Sequence, residues 1–366
     1  MSFALGPLRL DSNLFLSPLA GYTNLPFRLT IRELGGVGLC TTDLVNARAL
    51  IEQNRKSKKL IETCAADTPL SVQLYGNQPE VMRDAALLLE SLGYAAVDVN
   101  MGCPVRKVCA TGGGAALMSD LRPTAAMVRA MVEAVRIPVT CKMRLGWDDE
   151  NLTAPDLARA LEDVGVAALI VHGRTRAQGF NGRVQLDGIR RVVAAVQQTP
   201  VVGNGDVTSP PTAKRMLDET GCAAVAIGRG AFYNPWLFCQ TKHYLATGQL
   251  LPDPGFDERL ALMTRHLDRM VEVFGDDRGC QMFRKVGPQY VKHCGPAIEF
   301  NRRVKQLRTR AEFDEILAAF GAWRRQFLDD AGELLPPFRP RSTGGSLIDD
   351  SDEPALRVNS GPNELW

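Results

Sequence analysis

Eight short apolar segments recur along the first 230 residues, and a stretch with helical character follows each of them. Their starts lie roughly 25–45 residues apart. Proline near the start of the intervening stretches, as at Pro79 and Pro123, is typical of the first turn of a helix. This alternation predicts an α/β fold, a closed (β/α)8 TIM barrel over residues 1–250; a doubly wound sheet is the alternative, but eight similar units favour closure. The predicted strands are 14–21, 38–45, 70–76, 96–102, 139–146, 168–173, 201–206 and 224–230.

The composition is that of a globular protein with no membrane or secretory segment. Hydrophobic residues make up 45% and charged residues 23% of 366, and the net charge of +2 indicates no class of partner. Nine cysteines without a CxxC pair, and no signal peptide, predict a reduced, cytoplasmic protein. Only four histidines are present, and none pairs with cysteine at ligand spacing, so we expect no metal. We expect a monomer, although no sequence feature indicates the oligomeric state.

The remainder of the chain divides into two further parts. Residues 256–332 lack strand patterns, and helices are predicted at 257–274 and 312–327. Residues 336–366 are rich in proline, glycine, serine and acids, which predicts a disordered acidic tail. Between 280 and 310 the helical part has a local charge of +7, with Glu299 as its one acid. The eight basic residues are Arg284, Lys285, Lys292, Arg302, Arg303, Lys305, Arg308 and Arg310.

Polar and glycine residues cluster at the carboxyl ends of the predicted strands, where parallel barrels carry their chemistry. The last two ends, VGNGD (202–206) and AIGRG (226–230), have the small residues and free backbone N–H groups of a phosphate site, and Arg229 adds charge. Glycine-rich turns also occur for purely geometric reasons. Lys142 lies among apolar neighbours, so a buried ammonium there needs an anionic partner: a reduced flavin, or Asp98 in an ion pair.

Cys103 stands in a tight turn directly after the fourth predicted strand, between Gly102 and Pro104. Inert packing is the alternative for any single cysteine. No Cys/His/Asn arrangement that would generate a thiolate nucleophile is evident. An unperturbed thiol has a pKa near 8.5 and is mostly protonated at pH 7, which suits a general acid. The chemistry predicted for Cys103 is therefore protonation of one end of a C=C bond while a flavin hydride reaches the other.

Seven sequence blocks, in order and spacing, resemble the flavin-dependent tRNA-dihydrouridine synthases, most closely the bacterial B-type enzymes. The resemblance covers about residues 8–325. The blocks are SPLAGYTNLPFR (17–28), SVQLYG (71–76), DVNMGCPVRKV (98–108), CKMRLGW (141–147), VHGRTRAQGFNG (171–182), NGD (204–206) and IGRGAFYNPW (227–236).

The resemblance implies reduction of the C5=C6 bond of tRNA uridines, with FMN as cofactor, NADPH as its reductant and Cys103 as the acid at C5. It makes residues 256–332 the tRNA-binding domain. The implied FMN contacts are Pro18, Leu19, Ala20, Gln73, Lys142, Asn204, Gly205, Asp206, Gly228 and Arg229, with His172 beside the flavin. The expected tRNA or uracil contacts are Asn100, then Arg144, Arg174 and Arg176 at the barrel rim, and Arg284 and Lys285 in the helical part.

Three features depart from the family pattern: Leu19 replaces a commoner methionine, Cys109 replaces a common asparagine, and the acidic tail has no counterpart. Two other functions stay open, a flavin reductase for small molecules and a non-catalytic tRNA-binding protein. The +7 helical part favours an RNA substrate over a small one. The sequence does not indicate which uridine is modified or whether NADPH is preferred over NADH.

Overall fold

The computed structural model of the chain describes residues 2–292 and 294–339. Its strands are β1 (Phe3–Leu5), β2 (Leu8–Leu10), β3 (Leu14–Leu16), β4 (Leu39–Thr41), β5 (Val45–Asn46), β6 (Leu70–Tyr75), β7 (Ala96–Met101), β8 (Val139–Met143), β9 (Ala168–His172), β10 (Val201–Asn204) and β11 (Ala224–Ile227). Its first eleven helices are α1 (Leu25–Leu34), α2 (Ala47–Ile51), α3 (Arg55–Leu60), α4 (Pro79–Ser91), α5 (Arg106–Cys109), α6 (Leu121–Val132), α7 (Ala154–Asp163), α8 (Leu186–Ala195), α9 (Pro210–Thr220), α10 (Arg229–Tyr233) and α11 (Leu237–Thr247). The later helices are α12 (Phe256–Phe274), α13 (Asp276–Phe283), α14 (Gly287–Val291), α15 (Ile298–Val304) and α16 (Arg310–Arg324), and short 3-10 turns lie at Gly114–Ser119, Arg325–Phe327 and Pro336–Phe338.

The parallel strands close into a ring. Strands β3, β4, β6, β7, β8, β9, β10 and β11 pair in that order, and β11 pairs with β3. The short β5 follows β4 in the same place in the ring and pairs with the end of β6. The predicted (β/α)8 TIM barrel is therefore confirmed, and the open doubly wound sheet is excluded.

The barrel strands are buried on both faces, as parallel strands between a core and a helical layer must be. Along β7, Val97 and Val99 belong to the large apolar core, whereas Asp98 and Asn100 alternate with them. Because side chains alternate along a strand, Asp98 and Asn100 share the inner face. A polar layer thus stands inside the barrel, below its carboxyl end.

An antiparallel hairpin, β1 with β2, covers the opposite end of the barrel and was not among the predicted elements. Leu5 and Leu10 are buried there, and the Phe3 ring meets the Phe15 ring edge to face at 5.3 Å. These side chains pack with the first residues of several barrel strands, such as Ala96. The hairpin therefore seals the amino end of the barrel with apolar contacts.

Most of the predicted strands end earlier than expected, and two of the breaks have an identifiable cause in local hydrogen bonding or backbone conformation. The segment 38–45 divides into β4 and β5 because the Asp43 carboxylate accepts from the backbone N–H groups of Gly21 at 2.5 Å and Leu44 at 2.7 Å. The segment 201–206 leaves the sheet after Asn204 because Gly205 and Asp206 have positive φ, 124° and 51°. Both breaks lie at the carboxyl end of the barrel.

The predicted helices at 257–274 and 312–327 are confirmed as α12 and as α16 with the turn that follows it. Helix α12 packs against α1, where Arg269 donates to Glu33 Oε2 at 2.7 Å. The Phe338 ring, inside the predicted tail, lies 4.7 Å from the Phe327 ring. The rest of the predicted tail, residues 340–366, lies outside the described residues.

Candidate active site

A cavity of about 1200 Å³ opens at the carboxyl ends of the barrel strands. Pockets for small ligands usually measure about 300–1,000 Å³, so this one has room for a cofactor together with part of a substrate. Fifteen of the predicted site residues line it, whereas Arg176, Arg284 and Lys285 do not. The fifteen are Pro18, Leu19, Ala20, Gln73, Asn100, Cys103, Lys142, Arg144, His172, Arg174, Asn204, Gly205, Asp206, Gly228 and Arg229.

A row of hydrogen bonds connects the inner faces of β6 and β7 to the turn that carries Cys103. Gln73 Nε2 donates to Asp98 Oδ2 at 2.6 Å, and Asn100 Nδ2 donates to Gln73 Oε1 at 2.7 Å. Asn100 Oδ1 accepts from the backbone N–H of Cys103 at 2.9 Å and of Gly102 at 3.2 Å. Strand register places Gln73 opposite Asp98, so pairing in the sheet brings these side chains together.

Cys103 presents a half-buried thiol to the cavity. Burial raises the pKa of this thiol above its ordinary value, and a hydrogen bond from the Val105 backbone and the charge of Arg144 oppose the rise. The thiol is therefore protonated at neutral pH, the state that a general acid requires. The Cys103 carbonyl accepts from the Ala115 N–H at 3.1 Å and from the Cys109 thiol at 3.3 Å, so Cys109 packs against this turn.

Lys142 on β8 reaches across the barrel to β10. Its Nζ donates to Asn204 Oδ1 at 3.0 Å, and Asn204 Nδ2 donates to the Ala226 carbonyl at 2.7 Å. Burial and the charge of Arg144 lower the pKa of Lys142 to about 8. The alternative ion pair with Asp98 does not form, because the hydrogen bonds of that carboxylate come from Gln73 and Thr140. The ammonium faces the cavity with a neutral amide as its hydrogen-bond acceptor.

Arg144 and Arg174, which were predicted at the barrel rim, line the cavity and are only 2% and 1% exposed. Arg144 Nε donates to the Gly102 carbonyl at 2.7 Å. Arg174 binds both oxygens of the Asp206 carboxylate, at 2.8 and 2.7 Å. Carbonyl and carboxylate acceptors hold both guanidinium groups in the cavity wall. Their contact with a substrate base stays a prediction.

The three predicted contacts outside the cavity have three different environments. Arg176 is half-buried, with its guanidinium 4.4 Å from the centre of the Trp147 ring. Arg284 Nε donates to the Leu307 carbonyl at 2.8 Å, so part of its role is structural. Lys285 is exposed. Contact of these three side chains with RNA remains untested.

The basic cluster of the helical part is partly neutralised. Arg302 and Arg303 form ion pairs with Glu299, and Arg310 pairs with Asp268 and Asp314. Lys292 lies near the barrel mouth, with its Nζ 5.9 Å from the centre of the Tyr233 ring, which lines the cavity. One basic side chain of the helical part therefore stands beside the edge of the cavity.

The loops after β10 and β11 have the features of an anion site. An added Cβ at Gly205 would lie 2.7 Å from Val184 Cγ2 and 3.0 Å from His172 Cδ2, so only glycine fits beside these side chains. Arg174 and Arg229 both pair with the Asp206 carboxylate and leave a net positive charge. Thr208 Oγ1 is buried beside the cavity without a hydrogen-bond partner. A phosphate group fits this combination of cation, close backbone and unsatisfied hydroxyl.

His172, at the end of β9, is a neutral side chain. Burial, assisted by the charges of Arg144, Lys142 and Arg174, lowers its pKa well below the ordinary value. A neutral imidazole donates one hydrogen bond and accepts another. His172 is thus suited to a polar contact with a ligand rather than to holding a charge.

The sequence prediction missed several cavity residues. Phe180 lies within the block VHGRTRAQGFNG (171–182). The guanidinium groups of Arg144 and Arg229 lie 5.3 Å and 5.4 Å from the centre of its ring. Asp43 also lines the cavity, and burial raises its pKa to about 6. The basic side chains Arg48, Lys56 and Lys107 lie on the wall on the β4–β7 side. For these basic residues, the available sequence signal was the run RKSKK (55–59) before strand β6, which contains Lys56.

Within residues 2–292 and 294–339, no cluster of three or more His, Cys, Asp or Glu side chains is arranged to hold a metal ion. No helix in the same part of the chain is long and apolar enough to cross a membrane.

Solved structures share the fold at low sequence identity. Morphinone reductase matches with a TM-score of 0.50 and 17% identity, over 69% of this chain and 91% of that chain. A 2-naphthoyl-CoA reductase matches with a TM-score of 0.53 and 12% identity, over 68% and 52%. At such identities the likeness concerns the barrel fold alone.

Sequence comparison gives much closer relatives. A "Probable tRNA-dihydrouridine synthase" of Rickettsia conorii is 38% identical over 86% of this chain and 95% of its own length. The "tRNA-dihydrouridine synthase B" of Xanthomonas axonopodis pv. citri is 37% identical over 86% and 96%. The "tRNA-dihydrouridine synthase B" of Pseudomonas aeruginosa is 37% identical over 83% and 91%. The family model "Dihydrouridine synthase (Dus)" matches residues 15–324, and the chain therefore belongs to the dihydrouridine synthase family.

Proposed function

We propose that this protein reduces the C5=C6 bond of uridines in tRNA to 5,6-dihydrouridine, with FMN as cofactor and NADPH as reductant. The observation that carries the proposal is the Cys103 thiol, whose pKa is raised by burial, on the wall of a cavity that also contains a buried ammonium and a candidate anion site. The family and the names of the relatives indicate the same reaction. All nine cysteines are free, which supports a cytoplasmic location.

FMN fits the residues that are present. Its phosphate would be held by the loops of Gly205 and Gly228, with Arg229 and the unsatisfied Thr208 hydroxyl as donors. Lys142 would bring its positive charge to the end of the ring system that becomes negative on reduction. The chemistry that reduced FMN supplies when bound is a hydride for C6 of uracil.

Cys103 would donate its proton to C5 of the same uracil. One hydride and one proton then add across the double bond, and the thiolate that remains is reprotonated from solvent before the next cycle. Asn100, Arg144 and His172 line the cavity around this position and can hydrogen-bond the uracil edge. Their neutral or cationic groups suit the two carbonyl oxygens of uracil.

The tRNA would lie over the barrel mouth and along the helical part. A uridine inside folded RNA must leave its stack to reach this site, and a cavity of about 1200 Å³ has room for the base. The exposed Lys285 and Lys292 can contact phosphates on the helical side. Such contacts supply much of the affinity and make it depend on salt.

Replacing Cys103 tests the reaction and the role of the thiol together. We expect purified protein to be yellow and, once reduced, to convert uridine in tRNA but not free uridine. Cys103→Ala should lower the rate of dihydrouridine formation by about 10²–10⁴-fold, because general acid catalysis is worth that much, while FMN and tRNA binding persist. Cys64→Ala, at an exposed cysteine, is the matched control.

Each alternative has its own signature in this assay. Equal conversion of free uridine and tRNA would favour a reductase for small molecules. A protein that binds tRNA without flavin, and whose behaviour Cys103→Ala does not change, would be a non-catalytic RNA-binding protein.

A further inference from the structure

In the row of hydrogen bonds from Asp98 to Cys103, the amide nitrogen and oxygen of Gln73 and Asn100 each face a particular neighbour. The two ends of the row determine this orientation independently. At one end, the backbone N–H groups of Gly102 and Cys103 are donors, so the atom of Asn100 that faces them is its oxygen. The Asn100 Nδ2 group must then face an oxygen of Gln73. Gln73 consequently turns its Nε2 group to its other neighbour, Asp98, whose ionised carboxylate only accepts.

The other end leads to the same arrangement. The Asp98 carboxylate accepts from Gln73 Nε2 at 2.6 Å and from the Thr140 hydroxyl at 2.6 Å. Both amide side chains could otherwise rotate by half a turn and exchange oxygen for nitrogen. A flipped Asn100 would point an N–H group at the N–H groups of Gly102 and Cys103. An acceptor at position 98 therefore disfavours this flip through two intervening amides.

We propose that Asp98 is a positioning residue for Cys103: its carboxylate orients Gln73 and Asn100 and thereby holds the backbone of the Gly102–Cys103 turn. The inference rests on the proposed role of the Cys103 thiol. Asp98 is 3% exposed and does not line the large cavity, so it acts through the row and not on the substrate.

The turn depends on this support because its amide groups lie beyond the end of β7 at Met101. Its carbonyl groups are held from elsewhere: Arg144 binds the Gly102 carbonyl, and Ala115 and Cys109 bind the Cys103 carbonyl. Asn100 Oδ1 holds the amide side. Loss of the amide anchor would leave the thiol tethered on one side and free to shift.

Three variants separate positioning from general support of the fold. Asp98→Leu keeps the branched shape and the number of side-chain heavy atoms but has no acceptor, so Gln73 loses its fixed orientation. Asp98→Asn keeps the row, because its amide nitrogen can face the Thr140 hydroxyl, which accepts as well as donates, and its oxygen can face Gln73. Thr140→Val removes the second hydrogen bond of Asp98 and leaves the row intact, so it is the matched control.

Two half-reactions are measured separately: reduction of the flavin by NADPH, and formation of dihydrouridine by the reduced flavin. Reduction of the protein-bound flavin by NADPH requires no proton from Cys103, whereas dihydrouridine formation does. We expect Asp98→Leu to slow dihydrouridine formation by about 100-fold, the effect of a displacement of about 1 Å at a reacting group, while flavin content and flavin reduction change far less. Asp98→Asn and Thr140→Val should retain most of the wild-type rate.

Alkylation of the thiol gives a readout that does not depend on turnover. The rate at which iodoacetamide modifies Cys103, followed by peptide mass spectrometry, should change in Asp98→Leu, and that of the exposed Cys64 should not. Equal losses in both half-reactions, no loss in either, or equal behaviour of the Leu and Asn variants would overturn the proposal. The wild-type protein could form no dihydrouridine while the rate of Cys103 alkylation still differs between wild type and Asp98→Leu. In that case the proposed function fails and the positioning role stands.

Discussion

The barrel mouth and the helical part both carry basic side chains, but they hold them in different environments. At the mouth, Arg144 and Arg174 are buried, and backbone carbonyls and the Asp206 carboxylate accept their hydrogen bonds. In the helical part, Lys285 and Lys292 are exposed, and neither forms an ion pair with a described carboxylate. The sequence shows only that both regions are basic.

The environment determines what each group can do. A buried guanidinium must be paired, so it fixes loops and sets the electrostatic potential of the cavity, and removing it leaves a partner unsatisfied. An exposed ammonium contributes little to folding and is free to meet a phosphate, with an effect that salt screens. We therefore expect the two regions to differ in the measurement that each variant disturbs.

The largest expected effect is on stability at the mouth. Arg174→Ala should lower the free energy of unfolding by about 3 kcal/mol, because the half-buried Asp206 carboxylate loses its bidentate partner and keeps only the Val184 N–H at 2.9 Å and Arg229 at 3.2 Å. Urea unfolding of samples with equal flavin content measures this. Lys285→Ala should change stability by about 0.5 kcal/mol or less. Equal losses of unfolding free energy in Arg174→Ala and Lys285→Ala would show that burial does not distinguish the basic side chains of the two regions.

Asp98 sharpens the comparison by extending it to a buried carboxylate. Burial, opposed by hydrogen bonds from Gln73 and Thr140, raises its pKa from 3.8 to about 6. The folded state therefore keeps this proton to a higher pH than the unfolded state, so the stabilising contribution is full below about pH 4 and is lost as pH rises through about 6. The stability of wild type relative to Asp98→Asn should fall by about 2 kcal/mol between pH 4 and 7. A difference that does not change with pH would contradict this assignment.

The neighbours Arg284 and Lys285 test the comparison within the helical part. Arg284→Ala should lower the free energy of unfolding by about 1.5–3 kcal/mol, since it removes the hydrogen bond to the Leu307 carbonyl. Lys285→Ala should leave stability unchanged and reduce the slope of log affinity for tRNA against log salt by about 0.7–0.9, one phosphate contact. Arg302→Ala, at an exposed arginine already paired with Glu299, is the control and should change the slope less. An unchanged slope in Lys285→Ala would argue against contact with phosphate.

Local pattern was sufficient for much of the fold. The eight strand positions and the long helices α12 and α16 were predictable because apolar periodicity and proline signals lie within single segments. The hairpin of β1 and β2 was missed because it precedes the first β/α unit, so the alternation of strands and helices that indicated the barrel does not extend to it. The break after β4 depends on a hydrogen bond between Asp43 and Gly21, which no local window contains.

At the candidate site, too, some features follow from local sequence and others depend on contacts between distant residues. The amino-acid sequence by itself determined which residues stand at the carboxyl ends of the strands, because that order follows from strand periodicity and the closure of the ring. Only the tertiary structure decided which of them are buried, paired or free: Arg174 meets Asp206 across 32 residues, and Gln73 meets Asp98 across 25. The physical reason is that charge state and hydrogen-bond direction depend on partners from other strands, and the closed barrel brings those partners together.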